Sequence, residues 1–376
     1  MIALLILLFL ALLLGLRRRG KDDCAATWLN KETTTTLNGF WILVVFLSHA
    51  NQYISRGGYQ YTHFGDGVYR FFFGMCGQLM VAIFLFNSGF GVMESIKARG
   101  QSYVRSMPKR RLLATLLNFS VAVLAFIAMN IILGIPMKPL RVVLSFFCWD
   151  SVGNSNWYIF AILCCYASSF FGFTMCKKAS DAITLSIGLL LLYLAVMPFL
   201  KASYWYNTIL GFPTGMVVSW RKEHIFGFVQ KHYWSCICLL GICFVLGMPL
   251  SWRVPLNGLS HNAITVVFVL ISAVLLTKYD VMGGGLSWCG KRLFPIYIYE
   301  RIPMTILADS LATHPIVFIV VSGAITAVVA SVYKYWRVSF DRNMGWKKRD
   351  VGRGKCKPWN HAASEVLAQM RKEFKL

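Results

Sequence analysis

Long apolar segments recur along the whole chain and constrain its fold more than any other feature. A helix needs about 20 mostly apolar residues to cross a bilayer, where only helices and closed barrels satisfy their backbone hydrogen bonds. Of the 376 residues, 57% are hydrophobic and 14% charged, against about 25% charged in an average soluble domain. The runs are 2–16, 37–54, 70–93, 112–135, 156–176, 182–200, 204–220, 233–251, 261–279, 292–312 and 315–336. They predict an all-α fold: a polytopic transmembrane helical bundle of about ten core helices plus one short N-terminal helix.

Lysine and arginine are distributed unevenly between the segments that connect these runs. Alternate segments place 31 basic residues on one side and 6 on the other. Because positively charged loops stay in the cytoplasm, we predict that the basic side is cytoplasmic and that both ends of the core lie there. The expected parts are an anchor helix with a basic loop (1–36), a membrane domain (37–336) and a basic cytoplasmic tail (337–376).

Charge and cysteine content indicate which partners to expect. The net charge of +23 resides mainly in short loops and in the tail, so we expect contact with anionic membrane lipid and no nucleic acid.

The 11 cysteines lie mostly within apolar runs and show no C-x-x-C or Cys/His zinc spacing. We therefore expect neither a metal site nor disulfide bonds.

The run 37–54 contains one histidine, His49, about 12 residues or 18 Å into its helix. A histidine in hydrocarbon requires a partner or a water-filled cavity. Imidazole also titrates near neutral pH, which makes it the usual general base. Two interpretations have similar weight: a catalytic base, or a structural histidine bonded to a neighbouring helix.

A second polar segment, LFNSGFGVMES (85–95), places Asn87 and Ser88 beside Gly89 and Gly91. Glycines in a membrane helix permit close approach of another helix or of a ligand. Helix packing is the preferred interpretation for the two glycines. Asn87 and Ser88 are candidates for substrate contact.

The basic loop 94–111 follows directly and includes Arg105, Lys109 and Arg110. Such a cluster at the mouth of a cavity suits a polyanionic donor such as a nucleotide phosphate. The positive-inside rule predicts the same residues without any ligand. Both interpretations remain open.

Near residue 156, a polar cluster precedes an aromatic pair: Asn156 is followed by Trp157 and Tyr158. Aromatic residues at the end of a membrane helix usually form an interfacial belt, and this is the preferred interpretation for Tyr158. Asparagine beside an aromatic ring is also a common arrangement for holding a sugar. Asn156 and Trp157 are therefore candidate substrate-binding residues.

Glu300 and Arg301 lie inside the run 292–312, which is otherwise mostly apolar. Ionisable residues within a membrane segment are functional candidates by default. A carboxylate at this depth can orient and polarise a histidine. The alternative is a structural ion pair with other helices.

Five segments, taken in chain order, carry a family resemblance: LNGFWILVVFLSH, LFNSGFGVMES, NWYIFAILCCYA, YWYNTILGFPTGMVVS and LSWCGKRLFPIYIYERIP. They resemble motifs of the membrane-bound acyltransferase 3 family, the inner-membrane sugar O-acyltransferases. The similarity covers roughly residues 35–336. Two positions differ from the family pattern. Asn38 stands where many members carry arginine, and Pro108 stands three residues after Arg105, where many carry the second arginine of an arginine-x-x-arginine pair.

The resemblance implies an enzyme of the bacterial inner membrane. Its donor would be a cytoplasmic acyl-CoA, usually acetyl-CoA, and its acceptor a hydroxyl of a cell-envelope glycan or lipid-linked sugar. His49 would be the catalytic histidine, with Glu300 beside it. We expect donor phosphates on Arg105, Lys109 and Arg110, and substrate contacts from Asn38, Asn87, Ser88, Asn156, Trp157 and Arg301. A transporter or flippase of a lipid-linked glycan is the alternative, because polar residues in glycine-rich membrane helices suit both classes.

Overall fold

The structure is a computed structural model that describes residues 1–20, 24–251 and 257–343. Within these ranges the chain is predominantly helical, with two short strands, β1 (Leu16–Arg18) and β2 (Tyr279–Val281). The predicted basic tail lies outside the described residues from position 344 onward. The α-helices are α1 (Ile2–Gly15), α2 (Lys31–Arg56), α3 (Phe64–Cys76), α4 (Leu79–Met107), α5 (Ala114–Ile132), α6 (Pro139–Phe146), α7 (Trp157–Met175), α8 (Ala179–Val196), α9 (Gly211–Trp220), α10 (Lys222–Lys231), α11 (Tyr233–Ser251), α12 (Asn257–Lys278), α13 (Gly284–Gly290), α14 (Leu293–Tyr299), α15 (Arg301–Leu311) and α16 (Pro315–Asn343).

Several of these helices are long and apolar enough to cross a membrane. In the part of the chain that the structure describes there are six such segments. One of them, Leu79–Ile132, runs through α4, a π-helical turn and α5. The others are Trp157–Met175, Ala179–Phe199, Tyr233–Ser251, Gly258–Lys278 and Pro315–Trp336. The prediction of an all-α membrane protein is confirmed, while the number of about ten core helices stays a prediction.

Two apolar runs are divided in the structure. The run 70–93 is split between α3 and α4 at Gly77 and Gln78. The run 292–312 is split between α14 and α15 at Glu300. The second break has a local cause, because Pro303 has no N–H with which to bond the carbonyl of Tyr299. This junction places Glu300 between two short helices.

The short leading helix α1 is attached to the core through the two strands. β1 and β2 pair antiparallel, with Leu16 opposite Val281 and Arg18 opposite Tyr279. Arg19 adds an ion pair to Asp280. Asp280 also accepts a hydrogen bond from the Thr33 hydroxyl at 2.8 Å, at the start of α2. The segment after α1 is thereby fixed to α2 and to the segment after α12.

α2 lies alongside the stretch formed by α13, α14 and α15. α2 and this stretch run in the same direction. Their closest approach is at two glycines. A Cβ on Gly39 would lie 1.7 Å from the carbonyl oxygen of Leu286, and one on Gly290 would lie 1.8 Å from that of Thr35. These distances are far shorter than any real Cβ contact, so only glycine fits at either position. The contact fixes the register in which α2 meets α14.

A second glycine contact joins α4 to α9. A Cβ on Gly89 would lie 2.0 Å from the carbonyl oxygen of Phe212, and one on Gly215 would lie 2.0 Å from that of Phe86. Gly89 therefore has the packing role that the sequence favours. Gly91 differs, because nothing lies within 4 Å of a Cβ built there.

Candidate functional site

The centre of the candidate site is a pair of buried side chains, His49 on α2 and Glu300 at the α14–α15 junction. His49 Nδ1 is hydrogen-bonded to Glu300 Oε1. His49 is 8% exposed and Glu300 is 0% exposed. The second carboxylate oxygen, Oε2, has no hydrogen-bond partner among the described residues. The pairing that sequence reasoning considered for these two residues is therefore present.

The backbone at Glu300 remains nearly helical despite the break. Its N–H donates to the carbonyl of Ile296 at 3.1 Å. Its dihedral angles, φ −58° and ψ −29°, are also helical. Tyr297 precedes Glu300 by three residues, so the two side chains share one face of α14. The Tyr297 ring packs against the His49 ring with 6.2 Å between centroids.

Arg301 links three parts of the structure next to this pair. Its Nε donates to Ser155 Oγ at 2.7 Å, and Nη2 donates to Gln52 Oε1 at 3.2 Å. Its guanidinium also lies 5.9 Å from the centre of the Tyr53 ring. Gln52 follows His49 by one turn on α2, while Ser155 precedes α7. Arg301 thus fixes α15 against both segments beside the buried pair.

The loop before α7 is held by its own polar side chains. Asn156 Nδ2 donates to the carbonyls of Cys148, at 3.1 Å, and Asp150, at 2.9 Å. The amide nitrogen of Asn156 therefore braces this loop, and its contact with substrate stays a prediction. Trp157 packs edge-on against Tyr158 and Tyr204, with centroid distances of 6.1 and 6.2 Å.

A second polar pair lies nearer the beginning of α2. Asn87 Nδ2 donates to Asn38 Oδ1 at 2.7 Å, joining α4 to α2. Asn38 precedes His49 by 11 residues, or about 16 Å along the helix. The two predicted substrate-binding asparagines therefore meet each other, at a distance from His49.

An open cavity of about 300 Å³ adjoins Asn38. Its polar lining comes from Asn38, Ser88 and Tyr158, and its walls include Phe84 and Phe294. Lys291 and Lys334 also line the cavity, and no acidic side chain does so among the described residues. Sequence reasoning did not single out either lysine.

Two tyrosines connect the lining of this cavity to His49 through ring contacts. The Tyr158 ring lines the cavity and packs against Tyr297, with 5.4 Å between ring centroids. Tyr297 in turn packs against His49. Sequence reasoning placed Tyr158 in an interfacial belt, but the side chain is buried and only 6% exposed. Tyr297 was not predicted as a site residue. Its spacing of three residues from Glu300, which puts both on one helical face, is the feature of the sequence that could have indicated it.

The basic loop does not contribute to this cavity. Arg105, Lys109 and Arg110 are exposed, and none of them is among its lining residues. Arg111 is turned inward instead, where its Nε donates to the Tyr103 hydroxyl at 3.0 Å. It also lies 5.5 Å from the centre of the Tyr166 ring.

The fold and site define a helical integral membrane protein with a buried histidine–carboxylate pair. No family model, no curated protein and no solved structure matches this chain.

Proposed function

We propose that this protein is a membrane O-acyltransferase. It moves an acyl group, usually acetyl, from cytoplasmic acyl-CoA to a hydroxyl of a cell-envelope glycan or lipid-linked sugar. We also propose that its core of about ten helices lies in the bacterial inner membrane, with both ends of the core in the cytoplasm. The observation that carries it is the hydrogen bond between His49 and Glu300, two ionisable residues buried together in an apolar bundle.

The geometry of this pair supports a general-base mechanism. A carboxylate that accepts from Nδ1–H fixes the imidazole tautomer in which Nε2 carries the lone pair. No described residue is hydrogen-bonded to Nε2. His49 takes the proton of the acceptor hydroxyl at Nε2 as the oxygen attacks the thioester carbonyl. The carbon–sulfur bond then breaks, and the proton passes to the departing thiolate of CoA.

Arg301 supports the same assignment. Its guanidinium stays next to the buried pair because it is anchored to Ser155 and Gln52. Gln52 is exposed and lies one turn beyond His49, so an acceptor has a short route to Nε2 from this end of α2. A fixed cation beside a carbonyl undergoing attack stabilises the developing oxyanion.

A transporter or flippase of a lipid-linked glycan is the second candidate. The observation that favours it is the break between α14 and α15, where Oε2 of Glu300 has no hydrogen-bond partner in the described part of the chain. Discontinuous helices with polar groups at the break form the substrate sites of many transporters. The two functions differ in their products, because a flippase moves its substrate unchanged.

The test is acyl-CoA turnover by purified protein in lipid nanodiscs, with a cell-envelope glycan extract as acceptor. Free CoA and labelled acylated glycan are measured for wild type, His49→Ala and His224→Ala. Loss of a general base costs about 10²–10⁴-fold, so we expect turnover to be lost in His49→Ala. The exposed His224 on α10 is the matched control and should be silent. Normal turnover in His49→Ala contradicts the mechanism, and absence of turnover in wild type favours transport.

A further inference from the structure

The cavity beside Asn38 combines features that select one class of ligand. Its lining includes Lys291 and Lys334 and no acidic side chain from the described residues. Its lining also offers the Ser88 hydroxyl and the amide of Asn38, and its walls are aromatic and apolar. We infer that this cavity binds the arm of a phosphate-bearing thioester and that the two lysines hold the phosphates at its mouth. The inference rests on the proposed function and names the donor site.

The volume of the cavity indicates which part of such a ligand enters. At about 300 Å³ it lies at the lower end of the range of small-molecule pockets, about 300–1,000 Å³. It accommodates an extended arm with amide and apolar groups but not a complete nucleotide thioester. The nucleotide therefore stays outside. Lys291 is exposed, so its positive charge is available to phosphates at the entrance.

The position of the cavity suits delivery of an acyl group to His49. Lys291 and Lys334 belong to the segments 278–292 and 334–376, which are both predicted as cytoplasmic from their basic residues. From this end the aromatic pair Tyr158–Tyr297 is the barrier between the cavity and the His49 ring. The reactive end of the ligand reaches His49 by passing these two rings. The acceptor approaches from the opposite side, at Gln52 and Arg301.

This assignment differs from the one that the family resemblance implies. The predicted phosphate-binding residues Arg105, Lys109 and Arg110 lie outside the cavity lining, whereas Lys291 and Lys334 lie in it. The positive charge of loop 94–111 is already explained by the positive-inside rule, without a ligand. The two assignments are separable by mutation because they share no residue.

The experiment measures binding of CoA and of pantetheine to the full chain in nanodiscs of zwitterionic lipid. Pantetheine has the arm of CoA without its phosphates. A lost hydrogen bond to a charged group weakens binding by about 10-fold or more. We expect that loss for CoA in Lys291→Gln and Lys334→Gln, with pantetheine binding unchanged. Lys177→Gln, an exposed lysine between α7 and α8, is the matched control and should bind CoA like wild type.

The outcomes separate this inference from the proposed function. CoA binding that depends on Arg105 and Arg110 but not on Lys291 and Lys334 overturns the inference and leaves the enzyme proposal intact. Lysine-dependent CoA binding without His49-dependent turnover supports the site and contradicts the enzyme. Absence of CoA binding in wild type overturns the site. Displacement of CoA by added anionic lipid identifies a lipid headgroup as the occupant and also overturns it.

Discussion

Glu300, at the junction of α14 and α15, holds the imidazole of His49, which lies 251 positions earlier in the chain. Both side chains are buried, and the remaining carboxylate oxygen has no partner among the described residues. A charge that is removed from water in this way must be neutralised or serve a function.

Glu300→Gln should lower the rate of acyl transfer strongly and leave the stability of the fold nearly unchanged. Glutamine retains an oxygen that accepts from Nδ1, but it lacks the negative charge that stabilises the imidazolium formed during proton transfer. We expect the turnover rate to fall by about 10²–10⁴-fold, with a thermal unfolding midpoint close to that of wild type. Glu223→Gln changes an exposed carboxylate on α10 and should leave the rate unaltered. A wild-type rate in Glu300→Gln excludes Glu300 from the chemistry.

Ser155→Ala should loosen Arg301 from the loop before α7. The mutation removes the acceptor of the 2.7 Å hydrogen bond from Arg301 Nε, while the bond to Gln52 remains. A hydrogen bond to a charged group contributes about 1.5–3 kcal/mol, and we expect a decrease of that order in the free energy of unfolding. The Michaelis constant for the acceptor should also rise.

Ser310→Ala is the control for this change, because Ser310 is exposed on α15 and its hydroxyl donates within its own helix, to the Leu307 carbonyl at 3.3 Å. Equal stability of Ser155→Ala and Ser310→Ala means that Arg301 does not depend on the loop. The measurements are unfolding in detergent and kinetics with varied acceptor.

Gly39→Ala should separate α2 from α13. A Cβ at Gly39 would lie 1.7 Å from the Leu286 carbonyl oxygen, and backbone cannot yield as a flexible side chain can. Overpacking usually costs about 1–3 kcal/mol, and we expect a loss at the upper end of this range together with reduced turnover. Gly188→Ala, in α8 with nothing within 4 Å of its Cβ, should keep or improve stability. The measurement is the thermal unfolding midpoint of both variants. An unchanged midpoint for Gly39→Ala refutes the close contact.

Glu94→Gln should make stability more dependent on pH through Lys222. Lys222, on α10, is 5% exposed and its Nζ lies 4.0 Å from Glu94 Oε2. Burial lowers the pKa of Lys222 below its usual value of 10.5, and the charge of Glu94 opposes this effect. Without Glu94 the pKa falls further, so over a wider range below pH 10.5 the unfolded chain binds more protons than the folded one. The free energy of unfolding then rises with pH in that range.

The measurement is the unfolding midpoint between pH 7 and 10 for wild type, Glu94→Gln and the double variant Glu94→Gln/Lys222→Met. We expect the steepest rise in Glu94→Gln and a shallower one in the double variant, which has no ammonium to bury. Identical pH profiles in all three proteins mean that Glu94 and Lys222 are not coupled.

Much of the architecture follows from the sequence because membrane helices are specified locally. The run 156–176 corresponds closely to α7, and the run 315–336 matches the membrane-spanning part of α16. The run 292–312 shows the limit of this reasoning, because apolarity alone does not reveal a break at Glu300. The proline that causes it is visible in the sequence, yet proline is tolerated in many membrane helices.

The central pair of the candidate site could be predicted from the sequence as two residues, but not as a contact. His49 and Glu300 stood out because ionisable groups are rare in apolar runs. Asn38 and Asn87 were both expected to contact substrate, and the structure brings them to each other. Lys291 and Lys334 were indistinguishable from the other basic residues that set topology until their positions around one cavity were seen.

The sequence by itself determined that this chain is a helical membrane protein, because backbone groups in hydrocarbon must be satisfied within each segment. It also identified the few polar and ionisable residues that are unusual within apolar membrane segments. The tertiary structure decided which of them meet. The register set at Gly39 and Gly290 places His49 against Glu300, and such a register depends on packing between segments far apart in the chain, which no local pattern encodes.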